Sequence, residues 1–226
     1  MIAEIGHFAL ILALVLSVVQ CVLPLVGAAR GIGSWMALAR TAAYANALFL
    51  TISFGTLAYS FYISDFTLLN VASNSNSLLP WFYKVAASWG SHEGSILFWA
   101  LMLTWWGFFV ALTSRKLPQE TVARVLGVMG FITAGFVAFM LFTSNPFLRL
   151  FPAAPEGADL NPLLQDPGMV FHPPLLYMGY VGFTVPFAFA IAALIAGRLD
   201  AVWARWMRPW TTAAWILLTL GIALGS

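Results

Sequence analysis

The chain has 226 residues, 62% of them hydrophobic and only 8% charged, with a formal net charge of +2. A soluble domain carries about 25% charged and about 45–50% apolar residues. The composition therefore excludes a soluble globular protein, offers no basic patch for nucleic acid, and places the chain in a lipid bilayer. Cys21, the single cysteine, lies inside an apolar run; it reads as a small packed residue, and no disulfide framework or thiolate metal site is available.

Charge-free stretches predict six spans at 5–29, 41–64, 94–114, 125–148, 174–197 and 209–226, since about 20 residues cross a hydrocarbon core of about 30 Å. The expected fold is an all-α integral membrane protein: a polytopic bundle of six transmembrane helices with two long outer loops that carry short amphipathic helices. The first segment opens with Glu4 and has no basic leader, so it reads as a retained helix rather than a cleaved signal. Residues 1–226 are read as one transmembrane domain. The last span stops at Ser226 without a polar flank, which reads as the end of an N-terminal piece of a longer chain. Orientation follows from Lys and Arg. Arg30, Arg40, Arg115, Lys116, Arg124, Arg198, Arg205 and Arg208 fall on one side, and Lys84 and Arg149 on the other. Eight against two predicts an outer N-terminus and outer loops 65–93 and 145–173, periplasmic in a Gram-negative host.

Within loop 65–93, Asn74–Ser77 is turn chemistry, and Pro80 suits the first turn of a helix on which Trp81, Val85 and Trp89 share a face. That face reads either as an aromatic belt at the headgroups or as a platform for a flat apolar ligand. Loop 145–173 holds six prolines among apolar residues and reads as a lid or docking rim. Ala188, Ala192 and Ala196 recur as at close helix contacts, and Pro186 predicts a kink in the fifth span.

All three histidines fall on the outer side, at the starts of the first, third and fifth spans: His7, His92 and His172. Imidazole is the commonest metal and haem ligand. Pro173 and Pro174 after His172 predict an extended backbone there and a helix that starts with the prolines. His172 is thus expected at the aqueous lip of the fifth span, either as an iron ligand or as a helix-start cap. His92-Glu93 opens like a zinc-protease motif, but Ile96 breaks it. Glu93 suits a helix N-terminus. No span contains paired carboxylates.

Four stretches carry a family resemblance: "DFTLLNVASNSNSLLPWFYKVAASWGSHEGSILFW" at 65–99, "LFTSNPF" at 141–147, "DLNPLLQDPGMVFHPPLLYMGYVGF" at 159–183 and "RPWTTAAWILLTLGIALGS" at 208–226. The chain closely resembles the N-terminal part of the CcmF/NrfE family of haem-lyase subunits, which act in System I cytochrome c maturation. The resemblance covers essentially the whole chain. It implies an inner-membrane protein that accepts haem b from a CcmE-type chaperone. With a CcmH-type partner that presents CXXCH apocytochrome c, the family forms the thioether bonds; quinol is a further candidate partner. The FHPP motif implies that His172 is one axial ligand of the incoming haem iron. Trp81, Trp89, His92, Glu93 and Arg149 are candidates for the surrounding haem and chaperone surface, with Arg149 and Lys84 as candidate propionate partners. The family's tryptophan-rich segment, second outer ligand and structural b-haem ligands have no counterpart in 1–226, so this piece alone is not expected to catalyse ligation, and no catalytic residue is assigned. Two other classes stay open: a polytopic transporter such as a haem exporter, and a non-catalytic scaffold of the maturation complex. Few polar residues beyond Asn46, Thr51 and Ser53 lie inside the spans to line a transport path.

Overall fold

A computed structural model describes residues 1–197 and 201–225. Among them the regular elements are helical: α1 (Ile2–Arg30), α2 (Gly33–Tyr62), α3 (Leu69–Asn74), α4 (Trp81–Gly90), α5 (His92–Thr113), α6 (Gln119–Phe142), α7 (Pro167–Gly182), α8 (Thr184–Ala196) and α9 (Ala201–Gly225). In lipid each backbone donor and acceptor must be satisfied within its own segment, and the helix does this. Among the described residues, five segments are long and apolar enough to cross a membrane: α1, α2, His92–Lys116, α6 and Val170–Ala196. The expected sixth is a 25-residue helix, α9, but it is not among those five. Arg205 and Arg208 lie in its first third. Arg198, one of the cations used for orientation, lies outside the described residues.

The bundle has two distinct ends. At one, connections are short. Gly31 takes a left-handed conformation (φ 68°) and returns its N–H to Gly27, a geometry that suits glycine because it lacks a Cβ. Helix α2 begins at Gly33, so Arg40, expected in the connector, is helical. Its guanidinium donates to the carbonyls of Ser114 (2.8 Å) and Ala111 (3.4 Å). These carbonyls lie at the C-terminus of α5, where a cation is favoured by the helix dipole. The α1–α2 and α5–α6 connections thus share an end with Arg30, Arg115, Lys116 and Arg124.

At the opposite end the two long loops fold onto each other. Leu68 and Arg149 form a β-bridge, and the Ala158 N–H donates to the Ala72 carbonyl at 2.7 Å. Glu156 accepts from the Ser77 N–H (2.9 Å) and hydroxyl (2.6 Å). These bonds, with the Gly157 N–H, hold its carboxyl below the usual carboxylate range. Asn76 reaches Asp159, and Tyr83 donates to the Gln165 carbonyl (2.8 Å). Helix α4 starts after Pro80 as expected, and α3 ends at Asn74, where the expected turn begins.

Core packing divides along the bundle. Leu10, Leu50, Leu57, Phe61, Leu97 and Met140 fill the loop end, and Leu103, Leu126, Met129, Val181, Val185 and Phe189 the connector end. Between them the Gln20 and Asn46 amides meet at 2.8 Å, and Gln20 donates to the Leu126 carbonyl at 2.8 Å. This ties α1, α2 and α6; such bonds average about 0.6 kcal/mol in membranes. Thr51 bonds Ala47 and accepts from Trp105. The Gln20, Asn46 and Thr51 side chains thus tie helices to one another.

The fifth span differs most from expectation. Helix α7 starts at Pro167, not at Pro173, and the span breaks at Phe183. Asp166 caps the new start, accepting from the Gly168 N–H at 2.7 Å, and Pro167 occupies the first turn. Pro173 and Pro174 are therefore inside the helix, and His172 is helical instead of extended. The Asp166 cap and the packing of α7 on α9 override the local preference of a residue before proline. Pro186 has no N–H to give the Gly182 carbonyl, so the helical ladder is interrupted next to Phe183.

Candidate functional site

Helix α7 leans on α9 through glycine. A Cβ on Gly179 would overlap Leu218, one on Gly182 would come within 2.8 Å of Ala214, and one on Gly221 within 2.8 Å of the Leu176 nitrogen. Small residues let membrane helices approach this closely. Trp106 on α5 secures the pair by donating to the Met178 carbonyl at 3.0 Å.

At the loop end of this pair lies His172, half-buried. Its Nδ1 sits 2.8 Å from the Gly221 carbonyl. A carbonyl can only accept, so Nδ1 carries the proton and the neutral ring keeps its lone pair on Nε2. Metal-binding histidines show this arrangement, with the second nitrogen fixed by a backbone carbonyl. The ring borders a groove of about 600 Å³ lined by Trp99, Pro173, Leu176, Tyr177, Tyr180, Leu218 and Ile222. Its size and apolar walls suit a cofactor-sized ligand.

The other two histidines are spent on one corner of a loop. Asn145 Oδ1 accepts from the Phe147 N–H at 2.9 Å, which turns its Nδ2 toward His7 Nδ1 at 3.2 Å. That nitrogen is the acceptor, so the neutral His7 ring carries its proton on Nε2, the reverse of His172. His92 Nδ1 meets the Ser144 hydroxyl at 3.1 Å. His7 and His92 thus brace the start of loop 143–166 from two helices. No cluster of three or more metal-ligating His, Cys, Asp or Glu side chains occurs among the described residues.

The remaining sequence-derived candidates stand outside the groove lining. Arg149 pairs with Glu4, with Asp65 at 3.7 Å and with Thr67, and so links the start of α1 to both loops. Lys84 binds Ser64 (2.9 Å) and the Ser77 carbonyl (3.0 Å). Glu93 lies 4.0 Å from His92 in the first turn of α5. Trp81 is exposed, while Trp89 stacks on Phe98, with ring centres 5.8 Å apart. Phe98 in turn meets Tyr177 of the groove edge-on at 5.7 Å. Trp89 therefore reaches the groove through a relay of packed rings. The groove residues Trp99, Tyr177 and Tyr180 were not anticipated.

A family model described as cytochrome c assembly protein matches residues 89–226, which include α5 through α9 and His172. The chain belongs to the cytochrome c assembly protein family. It is 61% identical to the cytochrome c-type biogenesis protein CcmF of Pseudomonas aeruginosa and 56% identical to CcmF of Escherichia coli. Each match covers 100% of this chain and 35% of the relative. The NrfE protein of Haemophilus influenzae is 47% identical, with 36% of its length covered. A solved structure titled cytochrome c haem lyase CcmF superposes with a TM-score of 0.84 at 29% identity, covering 98% of this chain and 35% of that one. The likeness is to the N-terminal part of CcmF. The chain spans about a third of the length of the curated relatives it matches.

Proposed function

We propose that this chain forms part of a haem lyase of cytochrome c biogenesis and presents His172 as an axial ligand to the incoming haem iron. The observation that carries the reading is the His172 bond to the Gly221 carbonyl, which in the neutral ring puts the lone pair on Nε2, in a residue that borders an apolar groove. Haem b is the substrate, accepted from a CcmE-type chaperone and joined to CXXCH apocytochrome c presented by a CcmH-type partner. The Lys and Arg distribution supports an inner-membrane placement with the loop end in the periplasm, where chaperone and apocytochrome would meet the groove.

Thioether formation adds a cysteine thiolate across a haem vinyl group, so the chain's contribution is positioning. His172 holds the iron from one side. Trp99, Tyr177 and Tyr180 supply flat and apolar walls, and α7 and α9 keep the ligand at a fixed depth. Arg149 is engaged by Glu4, Asp65 and Thr67, so its part in this reading is to fix the two loops against the start of α1. The test is a haemin titration of the intact detergent-purified protein followed by absorbance. His172→Ala is expected to lose the histidine-ligated component, and His7→Ala to keep it. Unchanged spectra in His172→Ala would overturn the ligand assignment.

A further inference from the structure

The three histidines share a chemistry but not an environment, and the difference at His172 is made by α9. Two features of that helix meet the imidazole. The Gly221 carbonyl accepts the Nδ1 proton at 2.8 Å. One turn further, Gly225 has no side chain where the ring lies; a Cβ there would come within 2.6 Å of Nδ1 and 3.0 Å of Nε2. These residues stand four apart, so they lie on one face. The ring is thus bonded at one edge and fits into a gap of one methyl group.

We infer that Gly225 and the Gly221 carbonyl are positioning elements that set the tautomer and angle of His172, so that α9 prepares the ligand on α7. The inference rests on the proposed role of His172. Its physical basis is that the bond to the carbonyl keeps the proton off Nε2, while the missing methyl lets the ring reach that carbonyl. Alanine at 225 would push the ring away without touching backbone, because the overlap is with the imidazole. The carbonyl would then lose its donor, and the ring would sample both tautomers. Losing the hydrogen-bond partner of a metal-binding imidazole reduces metal affinity by about 10- to 100-fold.

The experiment compares wild type, Gly225→Ala and His172→Ala in the intact protein. The haem-free protein, labelled with ¹⁵N-histidine, reports the tautomer of His172, assigned from its loss in His172→Ala. Wild type is expected to show a protonated Nδ1 and a bare Nε2, and Gly225→Ala a mixture. Haemin titration is expected to weaken about 10- to 100-fold in Gly225→Ala, with unchanged helix content and expression. If His172→Ala loses haemin and Gly225→Ala binds it like wild type with the same tautomer, α9 does not position the ring and the ligand assignment stands. If His172→Ala itself binds normally, the ligand assignment falls and this inference falls with it.

Discussion

Replacing Gly179 by leucine is expected to separate α7 from α9 and to remove most folded protein from the membrane. A Cβ at this position overlaps the backbone of Leu218 as well as its side chain. Backbone within a helix cannot swing aside as a side chain can, so the helices must part. That would open the Gly182–Ala214 and Gly221–Leu176 contacts and the His172–Gly221 bond together. Overpacking in tight interiors costs about 1–3 kcal/mol, and a leucine against backbone falls at the upper end. Immunoblots of membrane fractions measure the loss. Gly55 meets nothing within 4 Å, so Gly55→Ala is the control and should accumulate normally. A normal level of Gly179→Leu with an intact α7–α9 cysteine cross-link would contradict this packing.

A second large effect is expected from Gly94→Ala. Ser91 caps α5 by accepting from the Gly94 N–H at 3.1 Å, and the Ser91 N–H closes α4 onto Ala87 at 3.1 Å. The corner brings the Ser88 carbonyl against the place a Cβ would occupy, with Ser91 Oγ 2.6 Å away. Alanine must widen the corner, and loss of the serine cap alone costs about 1 kcal/mol. Because α4 carries Trp89 and Tyr83, the disturbance should spread to the loop body. Faster hydrogen exchange in residues 81–95 is the expected readout, with α1 and α6 unchanged; exchange equal to wild type would show that the corner tolerates a methyl group.

Legibility in the sequence followed the physics of each feature. The first four spans were readable because burial in lipid forbids charge over about 20 residues, and α4 because Pro80 and the spacing of Trp81, Val85 and Trp89 are local signals. His172 stands out through its two prolines, although they point to an extended backbone and the residue is helical. The Asp166-Pro167 pair is a helix-start signature, and the prolines at 173 and 174 drew the start six residues too far along. The pairing of the loops was beyond local reading, since Ser77 finds Glu156 and Tyr83 finds Gln165 across roughly eighty residues. The groove was hidden for another reason: helices apolar on all sides show no polar face to mark which residues look inward. Trp99 and Tyr177 could not be told from lipid-facing residues until α5, α7 and α9 were assembled. The glycines behave alike, because their importance lies in what approaches them. His7 and His92 also show the limit of residue type as evidence. Each has a partner on the Ser144–Asn145 corner that the sequence places more than fifty residues away.

Covalent-haem staining in a strain that depends on this protein tests the central claim most directly. Cells carrying His172→Ala should yield no stained cytochrome c and should accumulate haem-loaded chaperone. His7→Ala cells should stain like wild type, and added imidazole should restore part of the signal by filling the vacated iron position. Staining of His172→Ala at the wild-type level, with no chaperone accumulation, would show that the imidazole bonded to Gly221 only ties two helices together.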